Sequence, residues 1–185
     1  MLDLHLGRFW TTGFLGTKQA WKRLVVTSIR AREERRWRNL VQKRERLRTY
    51  RLIKNELRFE QYLDHVDGAD LRRLVQFRSG VNDLEVERGR RKGLLRAQRT
   101  CHVCGAVEDE VHVLCECGIY EDIRRRWKVD AGVTPEDQDQ TVLKKFLDCG
   151  DDPRKSWRAA KYLNAILRRR AQTMAARTDV KQRNK

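Results

Sequence analysis

Residues 101–120 read CHVCGAVEDEVHVLCECGIY. Cys101 and Cys104 form a C-x2-C pair, whose two-residue spacing lets the chain turn so that both thiolates chelate one ion. Gly105 follows, where such a turn needs an unhindered backbone. Seven residues then lead to His112, and Cys115 and Cys117 follow it after two and four intervening positions. A second Cys/His pair so close behind the first makes a chance C-x2-C a poor explanation. A closed structural zinc site takes four ligands. The segment offers Cys101, Cys104 and His112 with either Cys115 or Cys117. His102 is the weakest candidate, because inside the C-x2-C loop its ring faces solvent most naturally.

The fourth ligand depends on local geometry. In one continuous helix over 110–127, positions three apart share a face and positions five apart do not, which favours Cys115. The same helix, however, carries an apolar stripe of Val111, Leu114, Cys115, Ile119, Ile123 and Trp127, in which Cys115 is a small buried hydrophobe. If the chain is instead irregular through Cys117, that thiol reaches the metal. Both readings stand at this level.

Working outward, residues 18–58 contain neither Pro nor Gly and carry 15 basic against 4 acidic residues. They predict two helices, or one long helix with a solvated Arg-Ala-Arg-Glu-Glu-Arg-Arg middle, bearing apolar patches at Trp21, Val25 and Ile29 and at Trp37, Leu40 and Val41. A short helix is expected over 68–79, capped at Asp67 or Gly68, with Leu71, Leu74, Val75 and Phe77 as its apolar set and Gly80 as its stop. Asn82-Asp83, Gly89 and Gly93 read as turn signals in the basic stretch that follows. Beyond the cysteines, 119–128 reads as a helix, 131–140 as a loop, the stretch around Leu143, Phe146 and Leu147 as a short helix, and 154–177 as a basic helix around Trp157, Tyr162, Ile166 and Leu167. The expected organisation is a loosely ordered segment 1–17, a basic helical region 18–63, a zinc-knuckle domain 64–130, a helical region 131–177 and a frayed tail 178–185. The fold class is mainly α: several helices around a small Cys-Cys-His-Cys knuckle, with a long basic N-terminal helix.

Composition bounds the function. The 185 residues are 39% hydrophobic and 37% charged, with a net charge of +16. Ordinary domains sit near roughly 45–50% apolar and 25% charged, so the core is modest and the surface suits a polyanion. No apolar run approaches the ~20 residues of a membrane span. Five cysteines without a secretory signal read as metal ligands in a reducing nuclear or cytoplasmic setting.

The run Leu84–Arg90, then Arg99–Cys104, then Glu108–Cys117, then Tyr120 and Arg124, resembles the zinc-binding region at the C-terminal end of LINE-type (non-LTR) retrotransposon reverse transcriptases. The resemblance covers about Leu71 to Trp127 and is weaker over residues 47–63. Its pattern is two cysteines, a histidine after a short acidic loop, and a cysteine after four intervening residues. It therefore implies Cys101, Cys104, His112 and Cys117 as ligands, with Cys115 where the family carries an aliphatic residue. Gly118 stands where many relatives have proline, a departure that concerns the start of the following helix.

The resemblance implies non-catalytic binding of RNA or DNA. The paired aspartates of a polymerase palm are missing, as are the H-x-E and Pro-Cys-x2-Cys arrangements of zinc deaminases, and Asp151-Asp152-Pro153-Arg154-Lys155 reads as a loop. Residues 71–100 hold nine basic and three acidic residues, whereas 101–122 hold six acidic and no Lys or Arg. The phosphate contacts are therefore expected on the flanking arms: Arg88, Arg90, Arg91, Lys92, Arg96 and Arg99 before the knuckle, and Arg124, Arg125, Arg126 and Lys128 after it. Trp127 reads as the end of the apolar stripe, with stacking on a base as its competing role. Two alternatives are a protein-interaction adaptor, using the acidic knuckle or self-association through the N-terminal helix, and a fragment of a larger reverse transcriptase.

Overall fold

The computed structural model describes residues 6–14 and 16–183. Residues 1–5 and 15 of the N-terminal segment and 184–185 of the tail lie outside the described residues. The chain divides into two compact units, one of residues 1–45 with 55–58 and one of residues 46–54 with 59–185. Among the described residues there is no strand, only an isolated antiparallel bridge between Thr100 and Val107.

The first unit holds α1 (Arg8–Thr12) and α2 (Lys18–Lys43). The Thr17 hydroxyl accepts from Ala20 N at 3.2 Å and caps α2. The charged middle stays helical: Arg38 pairs with Glu34 at i,i+4 (2.6 Å) and Arg36 with Glu33 at i,i+3 (3.8 Å). Each exposed pair is worth about 0.3–0.5 kcal/mol, and no Gly or Pro opposes them. The rings of Phe9, Phe14 and Trp21 meet with centroids 5.2–5.8 Å apart.

The second unit contains α3 (Arg48–Ile53), α4 (Tyr62–His65), α5 (Gly68–Arg78), α6 (Glu85–Arg91), α7 (Glu121–Asp130), α8 (Asp139–Leu147) and α9 (Pro153–Arg183). Its core gathers Leu74, Phe77, Leu84, Val113, Leu114, Trp127, Leu143, Phe146, Leu147, Leu163 and Ile166, all at most 3% exposed. Helix α9 is the spine, against which α4, α5 and α7 pack, while α8 packs on α3 and on the histidine turn of the knuckle. It starts at Pro153, where a missing N–H costs nothing, behind Asp152, whose carboxylate accepts from Arg154 N at 2.9 Å. Trp157, an apolar marker of this helix in the sequence, is 55% exposed, because Ala160, Leu163 and Ile166 occupy the buried face.

Two glycines decide local shape. Gly80 ends α5 with φ +64°, and a Cβ there would sit 1.9 Å from the Arg46 carbonyl oxygen. Gly89, read from the sequence as a turn signal, lies instead inside α6. Its hydrogen leaves room for the Arg99 side chain, which would be 2.5 Å from a Cβ.

Candidate metal centre

Residues 99–108 fold into a tight hairpin. Glu108 N donates to Arg99 O (2.9 Å), Cys101 N to Ala106 O (2.7 Å) and Gly105 N to Cys101 O (3.0 Å). Gly105, at φ +77°, takes the left-handed position that completes the turn. This presents Cys101 and Cys104 on one side of the loop.

The histidine arrives on a π turn, His112–Glu116. Asp109 starts it, its carboxylate accepting from His112 N at 3.0 Å. Cys117 N then donates to His112 O at 2.8 Å, an i→i+5 closure. The wider turn aligns residues five apart, which an α-helix cannot do, and short π segments recur at functional sites. Extended backbone at Cys117 (φ −62°, ψ +123°) ends the turn before the 3-10 turn Gly118–Tyr120 and α7. The continuous helix considered for 110–127 is thereby replaced, and the geometric case for Cys115 goes with it.

The ligand atoms of Cys101, Cys104, His112 and Cys117 all lie within 4.8 Å of one another, close enough to hold a metal ion. Cys101 Sγ and Cys117 Sγ are 4.0 Å apart, and Cys104 Sγ is 3.4 Å from His112 Nε2. His112 Nδ1–H donates to Glu116 at 3.1 Å, which leaves the Nε2 lone pair for the cluster. Cys101, His112 and Cys117 are buried. Burial, then the neighbouring Cys101 and Cys104, pushes the Cys117 thiol up to about 12. A cation in the cluster reverses that preference, because it stabilises the thiolates. Cys115 stands outside, its Sγ against Asp139 O at 3.8 Å, and burial raises its thiol to about 12 as well. His102 also lies outside and contacts Glu85 at 3.3 Å.

Three of the six acidic residues of the knuckle, Glu108, Asp109 and Glu110, are withdrawn from the anionic surface that their sequence density predicts. Glu108, 2% exposed, accepts from Arg170 Nε and Nη2 at 2.8 and 2.6 Å and from Glu85 N at 2.8 Å. Glu110, 1% exposed, is gripped by Arg48 and by Asn82 Nδ2 at 2.7 Å. Asp109 pairs with Arg96, Glu116 with His112, Glu121 with Arg124, and Asp122 with Arg169. Five of the six carboxylates thus act as sockets for arginines from α3, α7, α9 and the α6–knuckle loop, and the sixth, Glu116, holds the His112 ring. Glu108, at the end of the hairpin, and Glu110, just beyond it, anchor it to α9 and α3, which sequence density alone does not reveal.

The arms divide correspondingly. Arg124 was expected on phosphate but is 4% exposed, because its guanidinium turns inward to the Cys117 carbonyl oxygen and Glu121. Arg99 spends its donors on the Leu94 and Val86 carbonyls. Arg88, Arg90 and Arg91 pair with Glu85, Glu87 and Asp83 at 3.5, 2.9 and 3.2 Å. Lys92, Arg96, Arg125 and Arg126 are exposed and Lys128 is half-buried. Trp127, 1% exposed, packs edge-on against Phe146 with centroids 4.7 Å apart, so its ring belongs to the core.

Among the described residues no helix is long and apolar enough to cross a membrane. Comparison with family models, with curated proteins and with solved structures returns no match.

Proposed function

We propose that this chain is a zinc-stabilised, non-catalytic nucleic-acid-binding module of the type found at the C-terminal end of LINE-type retrotransposon proteins. The observation that carries this reading is the set of Cys101, Cys104, His112 and Cys117 side chains gathered on one point. Zn–S and Zn–N bonds of about 2.3 and 2.0 Å imply tetrahedral edges of about 3.8 Å between sulfurs and about 3.5 Å between sulfur and nitrogen. The 4.0 and 3.4 Å separations support zinc on that measure. Three thiols and an imidazole also suit zinc better than oxygen-seeking magnesium or calcium. Four protein ligands complete the coordination shell, which supports a structural ion over a catalytic one.

The net charge of +16 supports a polyanionic partner. The docking of a basic protein on the knuckle has less support than the acidic count suggests, because Glu108 and Glu110 are buried under Arg170 and Arg48, which leaves Glu116, Glu121 and Asp122 as the exposed carboxylates. The test is fluorescence anisotropy of labelled RNA and DNA oligonucleotides against the zinc-loaded protein over a salt series. Affinity is expected to fall steeply as salt rises to physiological strength. Absence of binding, or binding indifferent to salt, overturns the reading.

A further inference from the structure

A groove of about 420 Å³ runs between α5, the α5–α6 connection and α9. That volume is within the roughly 300–1,000 Å³ of ordinary ligand clefts. Arg73, Arg91, Arg168 and Arg170 line it, and Asp83 is its one acidic lining residue.

The four guanidinium groups are held differently. Arg170 is fixed and neutralised by Glu108, so it forms a rigid wall. Arg91 shares an exposed 3.2 Å pair with Asp83, of the kind worth ~0–1 kcal/mol and readily exchanged for another anion. Arg73 donates to the neutral Asn164 carbonyl oxygen and keeps its charge uncompensated by that bond. Arg168 is exposed and makes no ion pair among the described residues. Gln76 adds an exposed amide at the edge.

Arg168, without an ion pair among the described residues, and Arg73, on a neutral amide, differ in this from most arm arginines beside the knuckle, Arg91 among them, which are paired with carboxylates or carbonyls. The groove is also tied to the metal centre. Arg170 and Asn82, both lining residues, are positioned by Glu108 and Glu110, on either side of the Asp109 that caps the His112 turn.

We propose that this groove binds the phosphodiester backbone of a nucleic acid, with Arg73 and Arg168 as the phosphate-contacting side chains. The inference rests on the nucleic-acid reading above and moves its principal contact surface from the knuckle arms to α5 and α9. Guanidinium forks suit phosphate oxygens, and such contacts confer affinity without sequence choice.

The test compares the zinc-loaded wild type with Arg168→Ala, Arg168→Glu, Arg73→Ala/Arg168→Ala and Arg125→Ala/Arg126→Ala, binding a labelled single-stranded oligonucleotide across a salt series. Losing one and two phosphate contacts is expected to flatten the slope of log K against log salt by about 0.7 and about 1.4. Arg168→Glu is expected to weaken binding further. Arg168 is exposed and forms no ion pair among the described residues, so its variants are expected to keep wild-type circular dichroism and zinc content. If both Arg168 variants bind like wild type while Arg125→Ala/Arg126→Ala weakens binding, the groove proposal is overturned and the nucleic-acid reading stands. If the wild type binds no oligonucleotide, both fail. If oligonucleotide affinity ignores Arg168 but inorganic phosphate, at matched ionic strength, raises the melting temperature of wild type and not of Arg168→Ala, the groove is a free-phosphate site and the proposal is overturned.

Discussion

Replacing Glu108 by leucine tests the finding that the acidic loop is a socket. The substitution leaves the Arg170 guanidinium, 9% exposed, without its two short bonds to carboxylate. Removing one partner of a buried pair typically costs about 3–5 kcal/mol. Glu85 Oε1 stays 3.6 Å from Arg170 Nη2 and softens the loss, so the lower end, about 3 kcal/mol, is expected. At about 2–4 °C per kcal/mol for a chain of this size, the melting temperature falls by about 6–12 °C. The double variant Glu108→Leu/Arg170→Met removes both charges, and such replacements are often neutral or better. It still strips the acceptor from Glu85 N, worth about 1 kcal/mol. The double variant is therefore expected about 1 kcal/mol below wild type, and so about 2 kcal/mol more stable than Glu108→Leu alone. Thermal unfolding by circular dichroism in excess zinc measures all three. If Glu108→Leu alone changes stability by less than about 0.5 kcal/mol, as at an ordinary surface position, the socket argument is refuted.

Three further outcomes are expected. Glu116→Gln weakens the hydrogen bond that orients the His112 ring, and metal affinity falls by about tenfold in a competition titration with a chromophoric chelator; an unchanged affinity removes Glu116 from the site. Gly80→Ala combines φ +64° with a Cβ 1.9 Å from a backbone oxygen, so destabilisation above about 2 kcal/mol is expected, and a variant that melts with wild type contradicts the described turn. The Cys117 thiol, pushed up to about 12 by burial and its thiol neighbours, must lose its proton to bind metal, so affinity rises with pH and metal is released on acidification; affinity flat between mildly acid and mildly alkaline buffer is inconsistent with thiolate ligation.

The sequence and the structure agree most where signals are local. The C-x2-C pair, the Gly105 turn and the spacing to His112 are short-range features and are readable. Helix α2 needs only a capping threonine and an uninterrupted run of good helix formers, and α5 is marked by Leu74 and Phe77 on its buried face and by Gly80 just past its C-terminal end. The choice between Cys115 and Cys117 was not readable from helical periodicity, because the deciding element is a π turn whose period differs from that of the α-helix. The family resemblance named Cys117 where periodicity did not. Long-range electrostatics left no local trace. Glu108 and Arg170 are 62 positions apart, as are Arg48 and Glu110, so an acidic loop and basic helices read as opposed surfaces when they are partners. Arg124 shows the same effect at short range: its position beside Arg125 and Arg126 suggests a basic arm, but only the fold reveals that it points to the Cys117 carbonyl. Gly89 reads as a turn signal in the sequence, but its small size serves a side-chain crossing by Arg99 rather than a turn.

The central claim is the ligand set, and metal content by mass spectrometry tests it most directly. Native mass spectra of the wild type, Cys115→Ser and Cys117→Ser, each purified in zinc, separate the two candidate thiols. One zinc per chain is expected for the wild type and for Cys115→Ser, with a marked loss for Cys117→Ser. Zinc retained by Cys117→Ser and lost by Cys115→Ser, or absent from the wild type, contradicts the account.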